Sequence, residues 1–230
     1  CSAESQGFIG YMLQESLKNR LPEKQVATIL TMTEVDIKDA AFENPTKPIG
    51  SFYTEEESQT LAEEKGWTMG EDAGRGYRRL VASPSPKAIV EVDVIKTMLE
   101  NDIVVVSTGG GGIPVVKTET GQLEGVSAVI DKDSSALRLS KDVESDVLMI
   151  LTDVPNVYIN YGKENQEKLE TISIEKAEEY YAAGHFSDGS MGPKMAACIE
   201  FAKLGKTAII CSLTEAVEAL EGNAGTRIVG

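Results

Sequence analysis

The stretch NDIVVVSTGGGGIPVV, Asn101–Val116, sets a strand-like apolar run directly before four successive glycines. Glycine costs backbone entropy on folding, so such a run has to be offset by something that no side chain would allow. One candidate is close approach of bare backbone N–H groups to an anion; the other reading is a flexible surface loop. The spacing is not that of a GxxxxGK[ST] loop. Nor does a helix follow directly, as a GxGxxG dinucleotide loop requires, because Ile113, Val115 and Val116 continue the chain. An anion here would be held by a nest of backbone N–H groups.

Outward from this stretch, apolar strands and helices alternate. Ile95, Met98 and Leu99 mark a helix before Ile103–Val106, and GVSAVID (Gly125–Asp131) reads as a strand before a helix over Ser134–Val143. DVLMILT and NVYINY read as strands, Ser173–Tyr181 as a helix, and Ser190–Gly205 as a helix closed by its glycine. TAIICSL, TEAVEALEG and TRIV complete a strand, a short helix and a last strand. Towards the amino end, VATILTM (Val26–Met32) reads as one buried strand. Before it a helix from about Ser5 carries Phe8, Ile9, Met12, Leu13, Leu17 and Leu21 along one side. Apolar strands without strict alternation imply a mainly parallel sheet covered on both faces. The intervening stretch, rich in Pro, Gly and acids, reads as a small subdomain, with Thr54 and Glu57 forming a capping box for a helix that ends near Gly66.

The 230 residues suffice for one α/β domain with an insertion. A formal net charge of −15 argues against nucleic acid and anionic lipid as partners, and no apolar run is long enough for a membrane span. Phosphate, if bound, must be met by a few placed lysines. Cys1, Cys198 and Cys211 lack metal-type spacing, and with His185 the sole histidine no zinc site is expected. Cys198 and Cys211 read as small buried hydrophobes, and a reducing cytoplasm is the simplest compartment.

In open parallel sheets ligands bind beyond the carboxyl ends of strands, and three sequence features fall there: Gly109–Gly112, Asp131–Asp133 and Thr152–Val154. Lys132 lies between two aspartates at a strand-to-helix junction, where Asp133 suits the cap and nearby acids would hold the lysine across the sheet rim. In GHFSDGSMGPK, Ser190 is expected to cap, with Pro193 in the first turn and Lys194 one turn in. A cation is locally unfavourable at a helix amino terminus, so a bound phosphate shared by Lys194 and the helix explains it better. In NPTKPIG, Asn44–Gly50, two prolines stiffen the backbone on either side of Lys47. His185 reads as a turn residue and not as a general base.

NPTKPIG, EDAGRGYRR, VASPSP, GGGGIPVV, VIDKD, LTDV, INYGK, GHFSDGSMGPK and EALEGNAGTRIV occur in an order that resembles the carbamate kinases, members of the amino acid kinase superfamily, from about Gln6 to Val229. The resemblance implies an α/β/α sandwich with a protruding subdomain over about 36–84, a homodimer, and reversible transfer between carbamoyl phosphate plus ADP and carbamate plus ATP, with Mg²⁺ carried by the nucleotide. By the same resemblance Lys132 and Lys194 flank the transferred phosphoryl group and Asp133 holds the lysines. Lys47 reaches the carbamate or carbamoyl phosphate, and Gly109, Gly110, Gly111 and Gly112 lie by that small substrate. Thr152, Asp153, Tyr161, Met191 and Gly192 line the nucleotide site together with Asp133 and Lys194; no protein metal ligand is implied. The family begins with a strand ending in a GGN-type loop and later carries a GNG loop; neither is present, so residues before Cys1 are expected to be missing. Two alternatives stand beside this one: another amino acid kinase, acting on acetylglutamate or UMP, and a non-catalytic nucleotide-binding or dimerising fragment.

Overall fold

Glutamine and glycine, and not the apolar residues, form the inner side of the first helix, α1 (Ser2–Arg20). Gln6 and Gly10 are buried, whereas Phe8, Ile9, Met12, Leu13 and Leu21 are exposed, contrary to the expected buried apolar side. The reason lies in hydrogen bonding. Gln6 spans Thr31 through both its amide atoms (3.1 Å and 2.8 Å), Gln14 accepts from the Thr28 N–H at 2.8 Å, and the bare Gly10 lets the Thr28 hydroxyl reach its carbonyl at 3.0 Å. A Cβ on Gly10 would overlap the Thr28 methyl group.

The structure, a computed structural model that describes residues 1–72, 74–186 and 190–230, divides into two compact units, 1–135 and 136–230. In the first unit α1 is followed by β1 (Gln25–Thr28), β2 (Met32–Glu34), β3 (Lys47–Tyr53), α2 (Glu55–Lys65), β4 (Met69–Glu71) and β5 (Tyr77–Val81). Then come β6 (Ala88–Ile89), α3 (Val92–Glu100), β7 (Ile103–Val106), β8 (Ile113–Lys117), β9 (Leu123–Gly125) and the start of α4 (Lys132–Asp142), within which the division falls. The expected single strand over Val26–Met32 is two strands. β1 runs parallel to β7 and β2 parallel to β8, and the chain breaks at Ile29–Thr31, opposite the glycine run. β6 and β9 close the edges of the β2–β8 sheet as antiparallel strands. Residues 126–131, expected to be a strand, make only one parallel bridge, Ala82 with Ala128, after the β8–β9 hairpin has turned the chain. β3, β5 and β4 form their own antiparallel sheet beside α2. Its expected capping box is present in full: Thr54 accepts from the Glu57 N–H, Glu57 accepts from the Thr54 N–H, and Gly66 ends the helix at φ 62°.

The second unit continues through β10 (Val147–Thr152), β11 (Val157–Ile159), β12 (Glu167–Leu169), β13 (Thr171–Ser173), α5 (Ile174–Ala182), α6 (Met191–Ala202), β14 (Thr207–Ser212), α7 (Ala216–Glu221) and β15 (Thr226–Val229). Its sheet has the order β10-β14-β15-β13, parallel except between β14 and β15. β14 explains the layering. Ala208 and Ile210 point into the core shared with α6, while Ile209 and Cys211 point into the core shared with Ala219 of α7, and all four are fully buried. A strand buried on both faces requires helices on both, which is the expected α/β/α arrangement. Cys198 on α6 is likewise buried, and Cys1 is exposed. Among the described residues no helix is long and apolar enough to cross a membrane.

Candidate functional site

The glycine run is an excursion inside a long parallel pairing. The Ile29 N–H donates to Val106 O on one side and the Ile113 N–H to Thr31 O on the other, with Ser107–Gly112 looping out between. Thr108, Gly109, Gly111 and Gly112 all have positive φ. A Cβ on Gly111 would sit well under 3.0 Å from the Ile130 carbonyl oxygen, and one on Gly112 would overlap the Thr33 hydroxyl. The Gly111 carbonyl accepts from the buried hydroxyls of Thr33 at 3.1 Å and Ser135 at 2.7 Å. A flexible loop is therefore the wrong description. The expected nest of free amides is also corrected, since the N–H groups of Gly109, Gly111 and Gly112 donate to the carbonyls of Ser107 and Thr108. What glycine supplies here is close packing of backbone against the segment, at Ile130, that leads into Asp131–Asp133. On its other side the loop, through Gly109 and Gly110, borders a cavity of about 350 Å³ lined by α1 and β1.

The junction between that segment and α4 carries a compact group of ions. Asp131, and not Asp133 as expected, caps α4: its Oδ1 accepts from the N–H groups of Asp133 at 2.9 Å and Ser134 at 3.1 Å. Its Oδ2 accepts from Lys47 Nζ at 3.2 Å, reaching back to the first residue of β3. Burial opposes ionisation of Asp131, but the Ser134 N–H, the Lys47 ammonium and the Lys132 charge outweigh it and hold the carboxyl below the usual carboxylate range. Lys132 Nζ lies 3.4 Å from the buried Asp133 carboxylate, with the lysine side chain 57% exposed. The first unit thus brings Lys47, Asp131, Lys132 and Asp133 together at the start of α4, with Gly111 packed against the preceding Ile130.

The second unit gathers another set. A cavity of about 560 Å³ is lined by Asp153, Tyr161 and Met191, three residues marked from sequence, and also by Tyr158, Asn160 and Lys163, which were not. The signal for two of these was the period-two pattern of β11. Val157 and Ile159 turn into the core, which leaves Tyr158 and Asn160 on the other face. The rings of Tyr158 and Tyr161 stand 5.9 Å apart. Thr152 ends β10 and its hydroxyl donates to the Asp153 carboxylate at 3.1 Å. Gly192 and Lys194 lie in the first turn and a half of α6, both buried. Ser190 occupies the N-cap position, yet its side chain makes no capping hydrogen bond, so the expected Ser190 cap is corrected. Ser187, Asp188 and Gly189 of the same motif lie outside the described residues. The His185 ring stands edge-on to Tyr180 at 5.5 Å, in the turn between α5 and α6. Among the described residues no three His, Cys, Asp or Glu side chains gather as a metal cage.

The model of the amino acid kinase family matches residues 22–212. A carbamate kinase of Pyrococcus horikoshii is 52% identical over 98% of the chain and 73% of the relative's length. One of Clostridium perfringens is 51% identical over 99% of the chain and 74% of the relative. Among solved structures, a Giardia lamblia carbamate kinase bound to AMP-PNP superimposes with a TM-score of 0.91 at 49% identity, covering all of the chain and 74% of that protein.

Proposed function

Since the chain belongs to the amino acid kinase family and, within it, to the carbamate kinases, we propose that it transfers a phosphoryl group between carbamoyl phosphate and ADP, giving carbamate and ATP. The observation that carries this is the ion group at the start of α4, two ammonium groups held by two aspartates in a chain of net charge −15. Carbamate oxygen is already anionic, so attack on a phosphoryl group needs no general base, and the edge-on packing of His185 against Tyr180 agrees with a structural role. Catalysis then consists of aligning the reactants and neutralising charge on the moving group.

In this reading Lys132 and Lys194 neutralise that charge, Asp133 holds Lys132, and Lys47 with the Gly109–Gly112 turn meets the small substrate. Thr152, Asp153, Tyr161, Met191 and Gly192 serve the nucleotide; the Tyr158 and Tyr161 rings in the 560 Å³ cavity suit a base and Lys163 suits a phosphate. Mg²⁺ would arrive on the nucleotide's phosphates and asks for few protein carboxylates. When bound, the ion supplies charge neutralisation to the phosphates. Residues 36–84 act as a subdomain that delivers Lys47. A homodimer is supported by the exposed Phe8, Ile9, Met12 and Leu13 on α1. A cytoplasmic setting is supported by the buried free thiol of Cys211.

The test is ATP formation followed by a luciferase signal. Carbamoyl phosphate with ADP is expected to give ATP, whereas acetylglutamate or UMP offered with ATP is expected to consume none. ADP binding without ATP formation would replace this reading with that of a nucleotide-binding fragment.

A further inference from the structure

One carboxylate, Asp131, joins two parts of the first unit that are far apart in sequence. Its Oδ1 fixes the first turn of α4, from which Lys132 and Asp133 project, and its Oδ2 holds the Lys47 ammonium at the start of β3. An ammonium has three donors, so one bond to Asp131 leaves two for a ligand. The Lys47 side chain is 37% exposed and that of Asp131 only 17%, so the lysine's outer side is open while its anchor is screened. Asp131 is also the counter-ion on which both Lys47 and Lys132 act.

We propose that Asp131 is a positioning residue: it holds the Lys47 ammonium in the orientation that receives the carbamoyl phosphate anion, and it keeps that lysine in register with the helix turn bearing Lys132. This rests on the reading of Lys47 as the small-substrate lysine. It also separates two roles in one side chain, because an uncharged cap keeps the helix start and loses the tether.

Asp131→Asn tests this, since asparagine caps helices about as well as aspartate. Loss of a hydrogen bond to a charged group predicts a KM for carbamoyl phosphate raised about 10-fold or more, with the KM for ADP little changed. In a Lys47→Met background the same substitution is expected to add nothing, because the group it holds is gone. An unchanged KM for carbamoyl phosphate in Asp131→Asn, where Lys47→Met alone raises it, overturns the proposal and leaves the Lys47 reading intact. No effect of Lys47→Met removes both. Equal losses in kcat and in both KM values, with a lowered Tm, would mark a merely structural role and also overturn it. Asp131→Ser, which caps but cannot carry charge, repeats the test if the asparagine variant folds poorly; it is expected to match Asp131→Asn, and a wild-type KM there counts against the tether.

Discussion

Lys132→Ala is expected to lower kcat by at least about 10²-fold with circular dichroism and Tm close to those of the unaltered protein, and Lys194→Met to lower kcat by as much with the circular dichroism of a folded protein. The size follows from what the reaction asks of the protein. A phosphoryl group in transfer spreads negative charge over its oxygens, and in a chain whose acids outnumber its bases to a net −15 that charge has to be met by placed lysines. The two substitutions differ in what else they disturb. The Lys132 side chain is 57% exposed, so truncation leaves no cavity. Lys194 is buried at 7%, so methionine is chosen to keep the volume of its stem. Undiminished turnover in either variant would remove that lysine from the chemistry.

The second large effect is on stability. Gly111→Ala is expected to cost about 3 kcal/mol or more and to lower Tm by roughly 6–12 °C, whereas Gly110→Ala stays within about 0.5 kcal/mol of the unaltered protein. The two neighbours differ in geometry alone. Gly111 has φ 132° and its added Cβ would meet a backbone carbonyl, which cannot rotate away. Gly110 has open space where its Cβ would be. Thermal unfolding of the pair decides the matter, and similar Tm values would mean that the run is loose after all.

The elements with local signals were legible from sequence: Thr54, Glu57 and Gly66 delimit α2, and the continuously apolar strand β14 with the apolar side of α6 defines one core. The α4 cap was assigned two residues too late because DKD offers two aspartates of equal propensity, and only the tertiary partner, Lys47, decides which carboxylate faces the helix amides. The inner side of α1 was misjudged because Gln6 and Gln14 bond backbone groups of the break between β1 and β2, a demand that no periodicity count registers. The single strand expected over Val26–Met32 failed for the same reason: the break answers the glycine excursion opposite it, and that is a long-range fact. Of the candidate site, the lysines and glycines were visible as residue types and Tyr158 and Asn160 only through the period-two pattern, whereas the tether of Asp131 and the place of Lys163 needed coordinates.

The two-sided burial of β14 has a practical corollary. Cys211 is enclosed there, Cys198 in the adjoining helix is enclosed as well, and the burial of Cys211, with the Glu215 charge beside it, pushes its thiol pKa up. Cys1 lies in the open. A thiol reagent therefore meets one site at once and the other two only when the second unit opens, so slow alkylation becomes a clock for unfolding that needs no added label.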